Sequence, residues 1–286
     1  MLDVTLQGPG LRTFQLAAGY AHACVLRGED AEGLAQCWGG STEGQIGPAG
    51  DSHGPFPPVL MDESPEFVLM AANAIRSFGV TRSGELRSWG GILDLFDPGR
   101  GVPEQERLRG SVTLDAVSHW RAIAAKGYKL CGVRDTNTGT RRELGCATLP
   151  PIEDAVPSEA IRKAFDFTPF TPGQIWASLS TGPNFLCALD DDGRAYCTGE
   201  NDYGQLGDGT RVGRAENQMA PVDTELRFST IGVGEGFACA IEKADPAGAG
   251  GRLYCWGHGH RGQTALGVSD ALTPETVPVP RSVPAR

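Results

Sequence analysis

The stretch that decides the fold is Gly182-Pro-Asn-Phe-Leu-Cys-Ala-Leu189, followed by Asp192-Gly193, Tyr196-Cys197 and Gly204-Gln-Leu-Gly207. It reads as a turn with glycine, a short strand with a central cysteine, a second turn, a second strand and a glycine-bounded loop. This pattern recurs five times, at intervals of about 53 residues. Self-similarity at a period of this size is the signature of a repeat architecture, in which neighbouring units stack to bury a continuous core.

The five copies differ in how well they keep the pattern. The first, fourth and fifth copies keep nearly all of it, the second is weaker, and the third is the most eroded. The other four are Gly19-Tyr-Ala-His-Ala-Cys-Val-Leu26 with Cys37-Trp-Gly39 and Gly44-Gln-Ile-Gly47, Arg76-Ser-Phe-Gly-Val80 with Leu86-Arg-Ser-Trp-Gly90, Tyr128-Lys-Leu-Cys-Gly-Val133 with Leu144-Gly-Cys146, and Gly234-Glu-Gly-Phe-Ala-Cys-Ala-Ile241 with Leu253-Tyr-Cys-Trp-Gly257 and Gly262-Gln263.

These strings resemble the regulator-of-chromosome-condensation repeat family over residues 14–280. Repeats of that family combine a short strand, an Asp-Gly type turn, a strand ending in Trp-Gly and a Gly-Gln-Leu-Gly loop. The resemblance implies an all-β fold, a β-propeller with about one four-stranded blade per repeat. Short alternating strands between glycine-rich turns independently favour an all-β closed array. We therefore expect a single β-propeller domain over residues 1–286, with repeats at approximately 14–66, 67–113, 114–175, 176–226 and 227–280.

The two ends of the chain fall at about the same phase of the repeat. The run Thr276-Val-Pro-Val-Pro280 matches Ala220-Pro-Val222, which precedes the next repeat, and Val4-Thr-Leu6 could continue it. Five whole copies predict a five-bladed propeller whose termini meet. The alternative is a fragment or arc of a seven-bladed propeller, the form of the better-known family members.

All eight cysteines fall into two columns of the repeat. The one copy without the first cysteine also lacks the second, and has Phe78 and Ser88 in their places. Residues facing each other on adjacent antiparallel strands are close enough for a disulfide. The alternatives are eight reduced, buried cysteines, or zinc binding, for which no two cysteines have the short spacing of structural sites. The predicted disulfides are Cys24–Cys37, Cys131–Cys146, Cys187–Cys197 and Cys239–Cys255.

Four disulfides point to an oxidising compartment, extracellular or periplasmic. The start Met1-Leu-Asp-Val-Thr-Leu6 has neither the basic segment nor the apolar run of a signal peptide. We therefore expect the chain to be a mature or trimmed form of an exported protein.

Composition excludes some partners. The formal net charge is −10, which argues against nucleic acid, since a phosphate backbone calls for a basic stripe. Chromatin binding and nucleotide exchange, both known in the family, are therefore not expected. No apolar run reaches membrane-spanning length, so we predict no membrane insertion.

No motif for catalysis or cofactor binding is present in the sequence, and we predict no cofactor and no metal. The segments 190–193 and 135–139 resemble calcium loops but are read as Asp-Gly type turns. His258 and His260 could supply two metal ligands, yet they occupy a loop where the repeat has polar turn residues. His22 is expected to be structural and to hydrogen-bond backbone groups near the propeller centre.

Two inserts interrupt the second and third copies. The segment 147–172 replaces the loop of the third copy, and Ser158 could cap a short helix over 159–165. The segment 91–98 replaces the loop of the second copy. Such apolar inserts either cover the edge of an eroded blade or present a recognition surface. The candidate binding residues are Leu93, Leu95, Phe96, Ile161, Phe165, Phe167 and Phe170.

These observations favour a secreted or periplasmic protein-interaction module, a scaffold that binds a protein, or a glycan, through the loops of a disulfide-stapled propeller. The alternatives are a carbohydrate-active hydrolase with two loop carboxylates near the central channel, and a structural segment of a larger surface protein. An enzyme is the less favoured class, and the oligomeric state is not set by the sequence.

Overall fold

The structure is a computed structural model, and it describes residues 12–28, 33–40, 45–46, 56–60, 67–90, 111–116, 118–127, 129–136, 142–149, 161–163, 165–170, 175–244, 251–267 and 269–276. Within these residues, twenty strands form five four-stranded antiparallel sheets, called blades 1 to 5. The predicted all-β fold of five four-stranded repeats is confirmed. The chain divides into two compact units, residues 1–168 and 169–286, and each is described separately. Ring closure and the single domain stay predictions.

The first unit holds the first two blades and nearly all of the third. Each strand pairs with the next along the chain, so every blade is an up-and-down meander. Blade 1 contains β1 (Arg12–Ala18), β2 (His22–Gly28), β3 (Leu34–Gly39) and β4 (Phe56–Leu60); blade 2 contains β5 (Phe67–Ala72), β6 (Ser77–Thr81), β7 (Leu86–Trp89) and β8 (Val112–Asp115); blade 3 contains β9 (Trp120–Lys126), β10 (Lys129–Asp135), β11 (Arg142–Thr148) and β12 (Thr168–Pro169).

The second unit holds the two best-kept repeats. Its strands are β13 (Trp176–Thr181), β14 (Phe185–Asp190), β15 (Ala195–Gly199) and β16 (Ala220–Pro221) in blade 4, and β17 (Phe228–Val233), β18 (Phe237–Glu242), β19 (Leu253–Gly257) and β20 (Ala271–Thr276) in blade 5. Among the described residues, no helix is long and apolar enough to cross a membrane.

The two cysteine positions of each repeat face each other across a pair of neighbouring strands. In each of the four blades that carry cysteines, the two lie directly opposite each other on the second and third strands. All eight form the four disulfides that the columns predict. In blade 2 the same register places Phe78 opposite Ser88. The disulfides therefore link the two central strands of blades 1, 3, 4 and 5.

Each unit has its own hydrophobic core. In the first unit, Phe67, Phe78 and Trp89 are fully buried. In the second, Phe228 and Trp256 are buried with ring centroids 6.1 Å apart. Each core also takes side chains from a neighbouring blade, such as Leu26 of blade 1 in the first unit and Phe185 of blade 4 in the second, which fits the expectation that a single repeat cannot bury its apolar face alone.

The glycine-glutamine loops connect one blade to the next. The carbonyl of Gln205 in blade 4 accepts a hydrogen bond from Trp256 Nε1 of blade 5, at 3.0 Å. In the first unit the carbonyl of Gln45, from the loop of blade 1, accepts one from Ser77 Oγ of blade 2, also at 3.0 Å. This loop is part of the packing between blades, which explains why the best-kept repeats retain it.

Candidate functional site

The described residues of the insert in the third copy that belong to the first unit pack against blade 3. Ile161 and Phe167 belong to the core of the first unit, and Phe165 is partly buried against it. The Phe167 ring meets Trp120 edge-on at 5.1 Å, and the guanidinium of Arg134 lies 4.2 Å from the Phe167 ring centre. These apolar side chains therefore cover a sheet instead of offering a surface to a partner.

Of the remaining candidate binding residues, one is described by the structure and three are not. Phe170, in the second unit, is also buried. Leu93, Leu95 and Phe96 lie outside the described residues, as does Ser158. Residues 161–163 are helical, and the Phe165 amide donates to the Ile161 carbonyl at 3.0 Å, so part of the expected helix is present.

Of the two segments that resembled calcium loops, 190–193 is a turn held by local bonds, while residues 137–139 of the other lie outside the described residues. Asp190 Oδ1 accepts from the Arg194 amide at 2.8 Å, and Gly193 takes a φ of +87° in the tight turn between β14 and β15. The carboxylate of Asp135 instead pairs with Arg121 at 2.6 Å. The hydrogen bond from Arg121, outweighing partial burial, lowers the pKa of Asp135.

His22 is buried, and the hydrogen-bond partner of its ring differs from the predicted backbone group. Its Nε2 lies 2.9 Å from Ser77 Oγ, so the partner is a side chain of blade 2. The ring is only 5% exposed. Burial lowers its pKa to about 4, so the imidazole is neutral at physiological pH.

A cleft with a volume of about 470 Å³ lies in the second unit. It lies at one end of blades 4 and 5. The turns β13–β14 and β17–β18 and the loops after β15 and β19 meet there, because antiparallel strands bring alternate connections to the same end. Its lining residues are Pro183, Asn184, Phe185, Glu200, Tyr203, Gln205, Glu235, Gly236, Phe237, His258, Arg261 and Gln263. We call this feature the loop cleft.

Tyr203 is the exposed aromatic side chain of the loop cleft. It is 41% exposed, and its ring stacks on His258 of blade 5 with centroids 4.2 Å apart and planes at 26°. Its backbone amide donates to Gln205 Oε1 at 2.9 Å. The equivalent bond in blade 5 runs from the Arg261 amide to Gln263 Oε1 at 2.8 Å. Glutamine side chains of the repeat thus fix both loops, and with them the aromatic ring.

The loop cleft carries charges of both signs. Glu200 and Glu235 line it from blades 4 and 5, together with Arg261. Glu200 Oε2 accepts from Asn184 Nδ2 at 3.0 Å, which orients that carboxylate. A ligand at this site would meet two carboxylates, one guanidinium and a stacked aromatic pair.

A second cluster adjoins the loop cleft through His258. Candidate ligand atoms of His258, His260 and Asp270 all lie within 4.8 Å of one another. Asp270 comes from the segment before β20, and its side chain is only 5% exposed. Its Oδ1 accepts from the Gly259 amide at 3.1 Å and its Oδ2 from Arg211 at 2.9 Å. Burial raises the pKa of Asp270, but these hydrogen bonds and nearby positive charges outweigh it and leave the pKa below its ordinary value.

Sequence reasoning found the two histidines but neither Asp270 nor Tyr203. Asp270 lies ten residues beyond His260, in a segment without a motif, and Tyr203 stands inside the regular loop pattern. No sequence signal links them to the histidines, since both contacts are made through space.

The repeats resemble those of known proteins. Profiles described as the regulator of chromosome condensation (RCC1) repeat match residues 176–205 and 192–241. The ultraviolet-B receptor UVR8 of Arabidopsis thaliana is 28% identical over 269 residues, covering 91% of this chain and 56% of the receptor. The regulator of chromosome condensation of Mus musculus is 30% identical over 100 residues, or 35% of this chain and 22% of that protein.

Solved structures share the fold. Prp20p of Saccharomyces cerevisiae, reported with its binding to Gsp1p and histones, superposes with a TM-score of 0.67 at 19% identity, over 94% of this chain and 64% of that one. Human WBSCR16 gives a TM-score of 0.65 at 20% identity, over 97% and 70%. The chain thus spans little more than half the length of the receptor and under two thirds of Prp20p.

Proposed function

Because the chain carries regulator-of-chromosome-condensation repeats, we propose that it is a protein-interaction module whose partner binds at the loop cleft of the second unit. The observation that carries the proposal is Tyr203, an exposed ring held by a stack on His258 at the edge of a 470 Å³ cleft. Aromatic side chains in such settings dominate binding energy, and a ring that is already fixed loses little entropy on binding.

The charges of the loop cleft suggest the chemistry of the partner. Two carboxylates, Glu200 and Glu235, face the cleft on a chain of net charge −10. We infer a partner that inserts a basic side chain between them and packs an apolar group on Tyr203. Electrostatic complementarity of this kind mainly raises the association rate and the specificity. Protein binding by Prp20p, which shares the fold, supports the proposal at the level of the fold.

The test compares Tyr203→Ala with a matched control, Leu253→Ala. Leu253 is also 41% exposed but begins β19, at the opposite end of blade 5. Each full chain is immobilised, proteins from the host are quantified by mass spectrometry, and the affinity of the recovered partner is then measured with purified protein. We expect Tyr203→Ala to weaken binding by about tenfold or more, the scale of a hot-spot residue, and Leu253→Ala to leave it unchanged. Equal losses in both variants would refute the loop cleft as the docking surface.

A carbohydrate-active hydrolase is a second candidate, because Glu200 and Glu235 line the same cleft and glycosidases work with a pair of carboxylates. Hydrolysis of glycan substrates by the wild-type chain, lost in Glu200→Gln and in Glu235→Gln, would support this function. A protein partner that still binds both variants while no glycan is cleaved would support the interaction module.

We propose further that the protein acts outside the cytosol. The four disulfides, which use every cysteine of the chain, support this location. Alkylation of protein isolated from native cells under non-reducing conditions, followed by peptide mapping, should find four linked pairs. Free thiols at these positions would contradict an oxidising compartment.

A further inference from the structure

We propose that His258, His260 and Asp270 form a binding site for a divalent zinc-type ion, with two imidazole nitrogens and one carboxylate oxygen as ligands. The three groups converge at the end of blade 5, beside the loop cleft. This site goes beyond the proposed function and does not depend on it, since an ion can be titrated into the chain without any partner.

The ligand set suits the ion. Imidazole and carboxylate are ordinary zinc ligands, and three protein ligands leave a coordination position open for water or another group. The candidate ligand atoms lie within 4.8 Å of one another, while bonds of about 2.0–2.1 Å at tetrahedral angles would place them roughly 3.3 Å apart. The His260 side chain is 59% exposed and its Nε2 is already 3.5 Å from Asp270 Oδ1. A small rotation of an exposed ring is therefore the main adjustment that binding requires.

Two of the three ligands are held in place before an ion arrives. Asp270 accepts hydrogen bonds from the Gly259 amide and from Arg211. His258 is stacked on Tyr203, and its backbone amide donates to the Gly236 carbonyl at 2.8 Å. Hydrogen bonds that orient ligating groups are a regular part of metal sites. The ion would thus meet a partly formed site and not two mobile surface histidines.

The backbone at Gly259, between the two histidines, lies very close to the segment that carries Asp270. A Cβ built on Gly259 would lie 1.8 Å from the Ser269 carbonyl oxygen. No residue with a side chain could bring the His-Gly-His segment so close to the segment that carries Asp270. At the same position of the repeat, two residues after the strand-ending glycine, blade 4 has Asn201, flanked by Glu200 and Asp202 where blade 5 has the histidines. The histidine pair and its third ligand therefore distinguish blade 5 from blade 4.

A simple ion-pair network is the competing explanation. Arg211 and His260 both lie within salt-bridge distance of Asp270, and these contacts alone would hold the carboxylate. The two explanations differ in what zinc does. An ion-pair network predicts no saturable zinc binding that needs all three residues, whereas a metal site predicts one ion that depends on each of them.

The test titrates the full chain with ZnCl2 by calorimetry, and with CoCl2 by visible absorption, because the d–d bands of Co²⁺ report its coordination geometry. The variants are His258→Gln, His260→Gln and Asp270→Asn. The control is His119→Gln, which removes an exposed histidine of the first unit. Circular dichroism and thermal unfolding check that each variant folds. We expect one equivalent of Zn²⁺ in the wild type and in the control, and affinity at least about tenfold weaker in each of the three variants.

Three outcomes would overturn the proposal. They are no saturable zinc binding by the wild type, unchanged affinity in Asp270→Asn, or an equal loss in His119→Gln. Retained affinity in a folded Asp270→Asn would mean that the histidines bind zinc adventitiously without the third ligand. Loss of partner binding in Tyr203→Ala with zinc binding intact would separate this site from the proposed docking surface.

Discussion

The loops that follow the third strands of blades 4 and 5 have the same backbone plan but are held by different residues. In blade 4 the loop begins after Gly199 and in blade 5 after Gly257. Five residues after that glycine, each loop contains a Gly-Gln pair. The turn bonds also match. The amide of Gly207 donates to the Gly204 carbonyl at 2.9 Å, and that of Ala265 to the Gly262 carbonyl at 3.0 Å.

The difference lies at one position. In blade 4 the buried Asn201 accepts from the Leu206 amide at 2.9 Å and donates to the carbonyls of Thr210 and Val212. In blade 5 that position is Gly259, and the loop is tied by Asp270, which accepts from the Gly259 amide. A local side chain holds one loop, while a carboxylate from beyond the loop holds the other. The second arrangement places an acidic group beside two histidines and so creates the proposed site.

The strongest test of this comparison is Gly259→Ala. The added methyl group would meet the Ser269 carbonyl, so the loop must move away and the bond to Asp270 must break. We expect the free energy of unfolding to fall by about 3 kcal/mol or more, because the site is overpacked and a buried hydrogen bond is lost. Urea unfolding without reductant measures this change. The control is Gly232→Ala in β17, where a Cβ meets nothing within 4 Å, and which should change stability by about 0.5 kcal/mol or less. Similar losses in the two variants would contradict the close approach.

A pH titration extends the comparison to blade 1. The position of Phe185 in blade 4 and Phe237 in blade 5 holds the buried His22 in blade 1. Because burial lowers the pKa of His22 from 6.5 to about 4, the unfolded chain takes up a proton first as the pH falls. The contribution of neutral His22 to the free energy of unfolding is fully present above pH 6.5 and is lost as the pH falls toward 4. The total loss is on the order of 3 kcal/mol.

The pH measurement compares unfolding free energies of the wild type and His22→Phe, the residue that blades 4 and 5 carry there. The wild type should lose this contribution to the free energy of unfolding as the pH falls from 6.5 toward 4, and the variant should not. Parallel stability curves over this range would mean that His22 is not buried in the neutral form.

Asn201→Ala probes the local tie of blade 4. The substitution leaves the Leu206 amide and two carbonyls without their side-chain partner, which should cost about 2 kcal/mol. Asn184→Ala is the matched control, since the Asn184 amide bonds to Glu200 at the surface; its effect should be about 0.5 kcal/mol or less. If the two asparagines prove equivalent in urea unfolding, the loop of blade 4 does not depend on its buried amide.

The smallest effect is expected from Ala265→Gly, at the residue that closes the turn of blade 5. Gly207 has a φ of +66°, and Ala265 takes the same left-handed conformation with a φ of +58°. Ala265→Gly should stabilise the chain by roughly 0.5–1 kcal/mol, because the strain of a left-handed alanine outweighs the entropy of a new glycine. Gly207→Ala should destabilise it, and by more, since its Cβ would also come 2.8 Å from Trp256 Nε1. Thermal unfolding of both variants checks the opposite signs.

The repeat pattern was sufficient to predict much of the fold. Cys131 and Cys146 sit in the most eroded copy, yet their place in the two columns was enough to pair them, because opposite positions of a strand pair recur in every blade. The site was harder to predict. The sequence predicts binding residues in the inserts of the eroded copies, but Ile161 and Phe167 are buried in the core. The loop cleft lies at one end of the well-kept blades 4 and 5, and the cluster of His258, His260 and Asp270 lies in blade 5.

The sequence by itself determined the five strand repeats, the four disulfides and the acidic character of the chain. These follow from periodicity and counting, since strand register repeats along the chain. Only the tertiary structure decided that Ile161 and Phe167 are buried in the core, that Tyr203 of blade 4 stacks on His258 of blade 5, and that Asp270 joins His258 and His260. Each of these depends on which side chains meet across blades or across a loop, and such contacts leave no fixed spacing in the sequence.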